Sequence, residues 1–288
     1  MNLLILGAGA AEGVPAAYCR CESCQGVRER GGVELKSRSS LRIDDRYQID
    51  INPDSYLQMN RAKTDMYEVR HLLISHSHED HLSLSAIYDK TMSQEVNGDV
   101  LEIYMSEPAY DFVQKLINLR PIPEPHASRI KEMFELIPLR YFSSYRIGEC
   151  TVETVAGAHN AHGVDERSIN YLVTDAAGKS LLYAVDTGYY LDDTWEYLEG
   201  KRVDALIMDC TFAGRTDRGE RPHGHLDLRS FLEMLERMHS IGFTDSTTTI
   251  CATHFNPHQG LSHFEIQERF DASQFRVTAA YDGLSVNL

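Results

Sequence analysis

The stretch SHSHEDHLS at 75–83 holds four side chains able to bind a metal: His76, His78, Asp80 and His81. They follow HLLI at 71–74, which reads as a buried strand, and functional side chains in layered α/β folds gather at the carboxyl ends of strands. Residues two apart in extended chain point the same way, so His76 and His78 face one point. Asp80 and His81 reach it as the chain bends toward a helix. Imidazole with carboxylate, without thiolate, suits zinc, iron or manganese. Three further candidates stand just past strand-like runs: His159 after TVETVAGA, Asp186 after SLLYAV and His254 after TTTICAT. Together they supply enough ligands for two ions. His162 competes with His159 for its place; His159 follows the strand more closely.

A second cluster, YCRCESCQG at 18–26, spaces Cys19, Cys21 and Cys24 as C-x-C-x-x-C. Three thiolates at this spacing can wrap one tetrahedral zinc if a fourth ligand comes from elsewhere. His258 in THFNPHQG is the candidate. The bland alternative is a reduced cluster without metal; a redox disulfide fits less well, because the flanks lack a strand-to-helix redox motif. Cys150, Cys210 and Cys251 sit in or beside strand-like runs and read as inert core residues. GAGAAEG at 7–13 departs from the dinucleotide fingerprint, its third glycine falling one residue late. It reads as a glycine-rich loop passing close to the metals.

The elements that must position these groups alternate along the chain. Strand-like runs recur at 3–6, 48–51, 71–74, 101–105, 151–155, 170–174, 180–185, 205–208 and 248–252. Several are continuously apolar, as in strands buried on both faces. Helical patterns lie at 53–62, 107–119 and 227–239, the last with Leu228, Phe231, Leu232, Leu235 and Met238 on one face. Strands alternating with helices give a layered α/β class. RPIPEP at 120–125 must be extended or turning. The segment at about 84–146 reads as a helical and loop excursion shaping one wall of a pocket. The polar, basic stretch 213–226 reads as a mobile loop near a site, where Arg215, Arg218 and Arg221 are candidates to clamp a phosphate.

The 288 residues are ample for a buried core, and no apolar run approaches a membrane span. MNLLIL reads as a first strand rather than a signal peptide, so a cytoplasmic protein is expected. The net charge of −15 argues against nucleic acid or an anionic membrane as partner. It leaves an anionic small molecule open, because bound cations reverse the local field.

His76-Ser-His78-Glu-Asp80-His81, followed in order by His159, Asp186 and His254, resembles the metallo-β-lactamase superfamily over nearly the whole chain. The resemblance implies a four-layer αββα sandwich, one domain over 1–288, with the metals at one edge between the sheets. It implies His76, His78 and His159 on one ion, Asp80, His81 and His254 on the other, and Asp186 bridging two divalent ions, manganese or zinc. Asp50 in QIDIN stands where the family has an early strand-end aspartate, expected to orient ligand histidines.

Within the superfamily, the cysteine cluster behind a glycine-rich loop resembles the phosphodiesterases of the carbon–phosphorus lyase pathway, which open phosphoribosyl 1,2-cyclic phosphate. In that group a histidine shortly before a helix, upstream of the last ligand, acts as catalytic acid. GHLDL at 224–228 then points to His225, with His223 the alternative; Asp80 joins it as a residue needed for catalysis. His258 follows His254 by four residues where the pattern has three. Proteins of the pyrroloquinoline-quinone biosynthesis B type share the fold and a similar cysteine cluster. The chain lacks the long glycine- and proline-rich arm of a tRNA endonuclease.

The expected reaction is hydrolysis of a small phosphodiester, cyclic on ribose in the resembled group. Two cations activate water and His225 protonates the leaving oxygen. A structural zinc is expected in the cysteine cluster, and a homodimer is compatible with the reading. The alternatives are hydrolysis of a thioester, lactone or β-lactam, and a non-hydrolytic metalloprotein.

Overall fold

The computed structural model describes residues 1–119, 126–161 and 165–288. RPIPEP at 120–125 and His162 lie outside the described residues. In chain order the first half gives β1 (Asn2–Gly7), α1 (Glu22–Arg30), β2 (Ser40–Ile43), β3 (Tyr47–Ile49), α2 (Ser55–Ala62), β4 (His71–Leu73), α3 (Leu84–Met92), β5 (Leu101–Ser106), α4 (Glu107–Leu119), α5 (His126–Met133) and β6 (Phe134–Leu139). The second half gives β7 (Ser144–Ile147), β8 (Cys150–Asn160), β9 (Arg167–Thr174), β10 (Ser180–Ala184), α6 (Asp192–Leu198), β11 (Ala205–Asp209), α7 (Leu228–Ser240), β12 (Thr249–Thr253), α8 (His263–Asp271), β13 (Val277–Ala279) and β14 (Ser285–Asn287).

These strands form two seven-stranded sheets, ordered β14-β1-β2-β3-β4-β5-β6 and β13-β12-β11-β10-β9-β8-β7. In the first, pairing is antiparallel from β14 to β3 and parallel from β3 to β6. The second repeats the plan, antiparallel from β7 to β10 and parallel from β10 to β13.

The strand sequences explain the layering. In β10, Leu181 and Tyr183 enter a core between the sheets, while Leu182 and Ala184 enter a core under the helices. In β11 Ala205 and Ile207 face the first core, and Leu206 and Met208 the second. Both faces are covered, so the runs are continuously apolar rather than alternating. The outer core of the second sheet packs on Trp195 of α6, Phe231, Met234 and Met238 of α7, and Ile266 and Phe270 of α8. Leu72, Ile74, Ile103 and Met105 of the first sheet's outer face pack on Ile87 of α3 and on Ala109 and Val113 of α4. The architecture is a four-layer αββα sandwich, as expected.

Two expectations shift in detail. The helix expected from residue 53 begins at Ser55, because the Asn52 side chain accepts from Asp54 N–H at 2.9 Å and holds 52–55 in a turn. The segment 84–146 contributes more than helix and loop: besides β5, expected at 101–105, it holds β6, which forms the edge of the first sheet. The periodic helix near 227 appears as α7, capped by Asp227, whose carboxylate accepts from Ser230 N–H. No helix of the described residues is long and apolar enough to cross a membrane.

Candidate metal centre

The parallel halves of both sheets end at the same edge, and their last residues build the site. Asp50 follows β3, the 76–81 turn follows β4, Asp186 follows β10, Asp209 closes β11 and His254 follows β12. Asp50, Asp186 and His254 have φ of 63°, 54° and 64°, a region few non-glycine residues occupy. Such strain gathers where the chain must aim a side chain off the end of a strand.

Asp50, fully buried, organises the turn after β4. It accepts from Ser75 N–H at 2.7 Å, from the Ser75 hydroxyl at 2.9 Å and from His81 Nδ1 at 2.7 Å. That last bond leaves His81 Nε2 to face the other ligands. The Ser75 hydroxyl oxygen in turn lies 3.1 Å from His76 Nδ1, which leaves His76 Nε2 facing inward. Burial pushes the Asp50 pKa up, against the pull of His81.

Two ligand groups result, and Asp186 belongs to both. In the first, His78 Nδ1 lies 2.8 Å from His76 Nε2 and 3.3 Å from His159 Nε2. Asp186 Oδ2 lies 3.5 Å from His76 Nε2 and 3.6 Å from His159 Nε2. In the second, His81 Nε2 lies 3.0 Å from Asp80 Oδ2 and 3.2 Å from Asp186 Oδ1. His254 Nε2 lies 2.8 Å from Asp186 Oδ1 and 3.8 Å from Asp80 Oδ2. Close approach at the back of the site depends on Gly157, where an added Cβ would stand 2.2 Å from Ser168 Oγ and 3.2 Å from the Asp186 carbonyl oxygen.

These residues fit divalent ions. Ligands bound at about 2.0–2.1 Å to one tetrahedral centre stand roughly 3.4 Å apart, and the separations within the two groups run from 2.8 to 3.8 Å around that value. His81 Nε2, His254 Nε2 and Asp186 Oδ1 are buried and have no hydrogen-bond partner despite their proximity. They converge without being aligned on one another, as donors aimed at a shared point would be.

The electrostatics agree with crowding of donors. Burial, then the neighbouring His81, holds His76 well below the ordinary imidazole range, and burial brings His159 down to about 4. Burial alone would lower His81 too, but Asp186, Asp80 and Asp50 hold it well above that range. Against the same effect of burial, Asp186, Asp80 and Asp209 raise His254 to about 10. Asp186 and Asp80, which burial would raise, are held well below the carboxylate range by His254 and His81.

His225 stands against this centre, its ring 4.8 Å from that of His159 and 5.2 Å from that of His254. His223, its alternative, is exposed. Sequence reasoning missed the residue that holds His225. Asp209 Oδ2 lies 2.9 Å from His225 Nδ1, while Asp209 Oδ1 accepts from Thr211 N–H, the Thr211 hydroxyl and Leu226 N–H. Thr211 Oγ also stands 2.8 Å from His254 Nδ1. The signal was present: ALIMD ends in aspartate after an apolar run, as AVD does at Asp186. Glu166, a buried carboxylate bonded to Ser77, was also missed.

The three loop arginines are engaged locally. Arg215 pairs with Asp217; Arg218 lies over the Phe212 ring and donates to the carbonyls of His223 and His225; Arg221 lies over Tyr189.

Cys19, Cys21, Cys24 and His258 form a separate group whose ligand atoms lie within 4.8 Å of one another. His258 Nε2 stands 3.4 Å from Cys19 Sγ, and all six cysteines are free thiols. Burial pushes Cys24 up to about 11, while hydrogen bonding to Cys24 N–H and Cys19 lowers Cys21. Arg28 ties the loop by donating to the carbonyls of Ala16, Cys19 and Cys24. Cys150, Cys210 and Cys251 are buried in the cores. The glycine-rich loop packs beside the site: Phe255 N–H donates to Ala8 O, Ala10 N–H donates to Phe255 O, and Asn256 donates to Glu12.

Strand-end histidines and aspartates grouped at one edge of an αββα sandwich define a class of metalloprotein, and the sequence agrees. Residues 46–255 match the β-lactamase superfamily domain, and the chain belongs to that family. Among solved structures it is similar to a diphosphatase of the PhnP family, at 20% identity and a TM-score of 0.70, covering 99% of this chain and 96% of that one. It is equally similar in fold to zinc-bound PqqB from Methylobacterium extorquens, at 16% identity and a TM-score of 0.70, with both chains covered completely. Human tRNase Z, short form, aligns at 18% identity and a TM-score of 0.62, covering 100% of this chain and 99% of that one. No curated protein matches the sequence.

Proposed function

We propose that this chain is a metal-dependent hydrolase of a small phosphodiester, with two divalent ions, manganese or zinc, held by His76, His78, His159, Asp80, His81, His254 and the shared Asp186. The observation that carries this reading is the divided use of Asp186, one oxygen toward each group of histidines. Ions held there would supply a nucleophilic water at neutral pH and positive charge for phosphate oxygens.

The chain's own residues do the rest. Asp50 and Thr211 fix which nitrogens of His81 and His254 face inward. Asp209 holds His225 by Nδ1, which leaves Nε2 to carry a proton to the leaving oxygen as general acid. Leu226, which follows His225, and Asp227, which caps α7, are fully buried, so the ring is carried on a fixed support. Asp80 is required because its removal strips the second group of its unshared carboxylate, leaving only the shared Asp186. Cys19, Cys21, Cys24 and His258 hold a structural zinc that ties the N-terminal loop to the turn after His254.

A net charge of −15 favours a small anionic substrate drawn by the ions over a nucleic acid. Six free thiols suit a reducing compartment such as the cytoplasm. The likeness in fold to a PhnP-family diphosphatase supports phosphate esters as the substrate class, a ribose cyclic phosphodiester and a diphosphate diester being the first to try.

The test is hydrolysis of bis(p-nitrophenyl) phosphate by manganese- or zinc-loaded protein, with Asp80→Ala as the blank. Metal-dependent release that vanishes in the variant is expected. No release above the blank, from protein carrying two ions at the histidine groups, overturns phosphodiester hydrolysis in favour of a thioester or lactone, or of a non-hydrolytic role.

A further inference from the structure

We infer that Glu166 is a positioning residue for the first ligand group, holding the turn that carries His76 and His78 in register with the hairpin that carries His159. This rests on reading that group as a metal site. The three histidines come from different sheets: His76 and His78 leave the first at the end of β4, and His159 lies on β8 of the second. Their mutual distances therefore depend on something that crosses between the sheets at this edge.

Glu166 is placed to do so. It stands just before β9, 1% exposed, beside the Asn160–Arg167 pairing that closes the β8–β9 hairpin. Its Oε2 accepts from the Ser77 hydroxyl at 2.6 Å and from Ser77 N–H at 3.3 Å. Ser77 is the residue between the two histidines. Its Oε1 accepts from the Ser106 hydroxyl at 3.1 Å, and Ser106 Oγ in turn accepts from Ala109 N–H in the first turn of α4. Burial pushes the Glu166 pKa up, and these donors pull it back.

The same strand grips the turn ahead of His76: Ile169 N–H donates to Ser75 O at 2.7 Å and the Tyr171 hydroxyl to Ile74 O at 2.7 Å. Backbone and tyrosine thus hold the chain before His76, and Glu166 holds it after. The second group is fixed by other means, His81 through Asp50 and His254 through Thr211. Partners that orient ligands typically change metal affinity by about 10- to 100-fold when removed. Loss of the Glu166 contact is therefore expected to weaken one ion and spare the other.

The experiment is cobalt(II) titration of the full chain against a competing chelator, followed by visible absorption. Sulfur-to-cobalt charge transfer marks ions at the cysteine group, so the histidine sites are counted separately. Glu166→Gln, which keeps the fold's packing, and Ser77→Ala, which removes a single hydroxyl, are compared with His78→Ala and His254→Ala. The expected result is a loss of about 10-fold or more at the equivalent that His78→Ala removes, none at the one that His254→Ala removes, and a double variant no worse than either single one.

Equal weakening of both equivalents, weakening of neither, or additive effects of Glu166→Gln and Ser77→Ala overturns the inference and leaves the metal reading intact. If His78→Ala and His254→Ala themselves bind cobalt as the wild type does, the metal reading fails, and the positioning role fails with it.

Discussion

Asp209 Oδ2 lies 2.9 Å from His225 Nδ1, and Asp209 has no exposed surface. The carboxylate closes β11, so the sheet itself sets the orientation of an imidazole standing between the rings of His159 and His254. An acid held this way is needed most when the leaving oxygen is a poor leaving group. His225→Ala is expected to lower turnover of an alkyl phosphodiester by about 10²–10⁴-fold while metal content stays at the wild-type level. Asp209→Asn is expected to lower it less, since the ring stays in place with its Nδ1 partner changed. Both losses should shrink for p-nitrophenolate, which departs without a proton. Equal losses for both leaving groups would show that His225 does not act as the acid.

The candidate ligand groups were legible in the sequence because strand ends leave a local trace: an apolar run, then a histidine or aspartate. His76, His159, Asp186 and His254 all carry it, and the structure brings them together. Asp209 carries it too, but a single aspartate after ALIM is as readily a turn former as a partner of His225. Glu166 left no trace, because its partners Ser77 and Ser106 are distant in sequence and ordinary in type. Strand β6 within 84–146 was obscured for a related reason, whereas β5 was legible as the apolar run at 101–105. Strand β6 lies at the edge of the first sheet, where FELIPL at 134–139 is only partly buried and reads less clearly than a central strand.

The cysteine group supports a prediction separable from catalysis. Cys24 is buried in the first turns of α1, and Ser23 beside it donates to Pro257 O, next to His258. Zinc at this group would contribute its binding free energy to the folded state. Cys24→Ser is expected to remove one zinc equivalent and lower the unfolding temperature, with the ions at the histidine groups still present by metal analysis. A variant that keeps its full zinc content would show that the four residues are not a zinc site.

A last prediction concerns a lysine outside the site. Lys36 is buried, with its ammonium donating to Val33 O at 2.9 Å and lying over the Phe255 ring at 5.7 Å. Burial brings its pKa from 10.5 down to about 8, against the pull of Glu34 and Asp282; His263 is a further titratable neighbour. The folded value lies below the unfolded one, so the native state sheds this proton first. Below pH 8 the buried ammonium costs stability in full, and that cost fades as pH rises toward 10.5. The shift corresponds to about 3 kcal/mol when the cost is present in full. Lys36→Met, similar in volume and uncharged, is therefore expected to be more stable than the wild type near neutral pH, with the gap closing by about pH 10. Urea unfolding of both proteins at the two pH values measures it. A variant less stable at neutral pH would mean that the contacts with Val33 and Phe255 outweigh the cost of burying the charge.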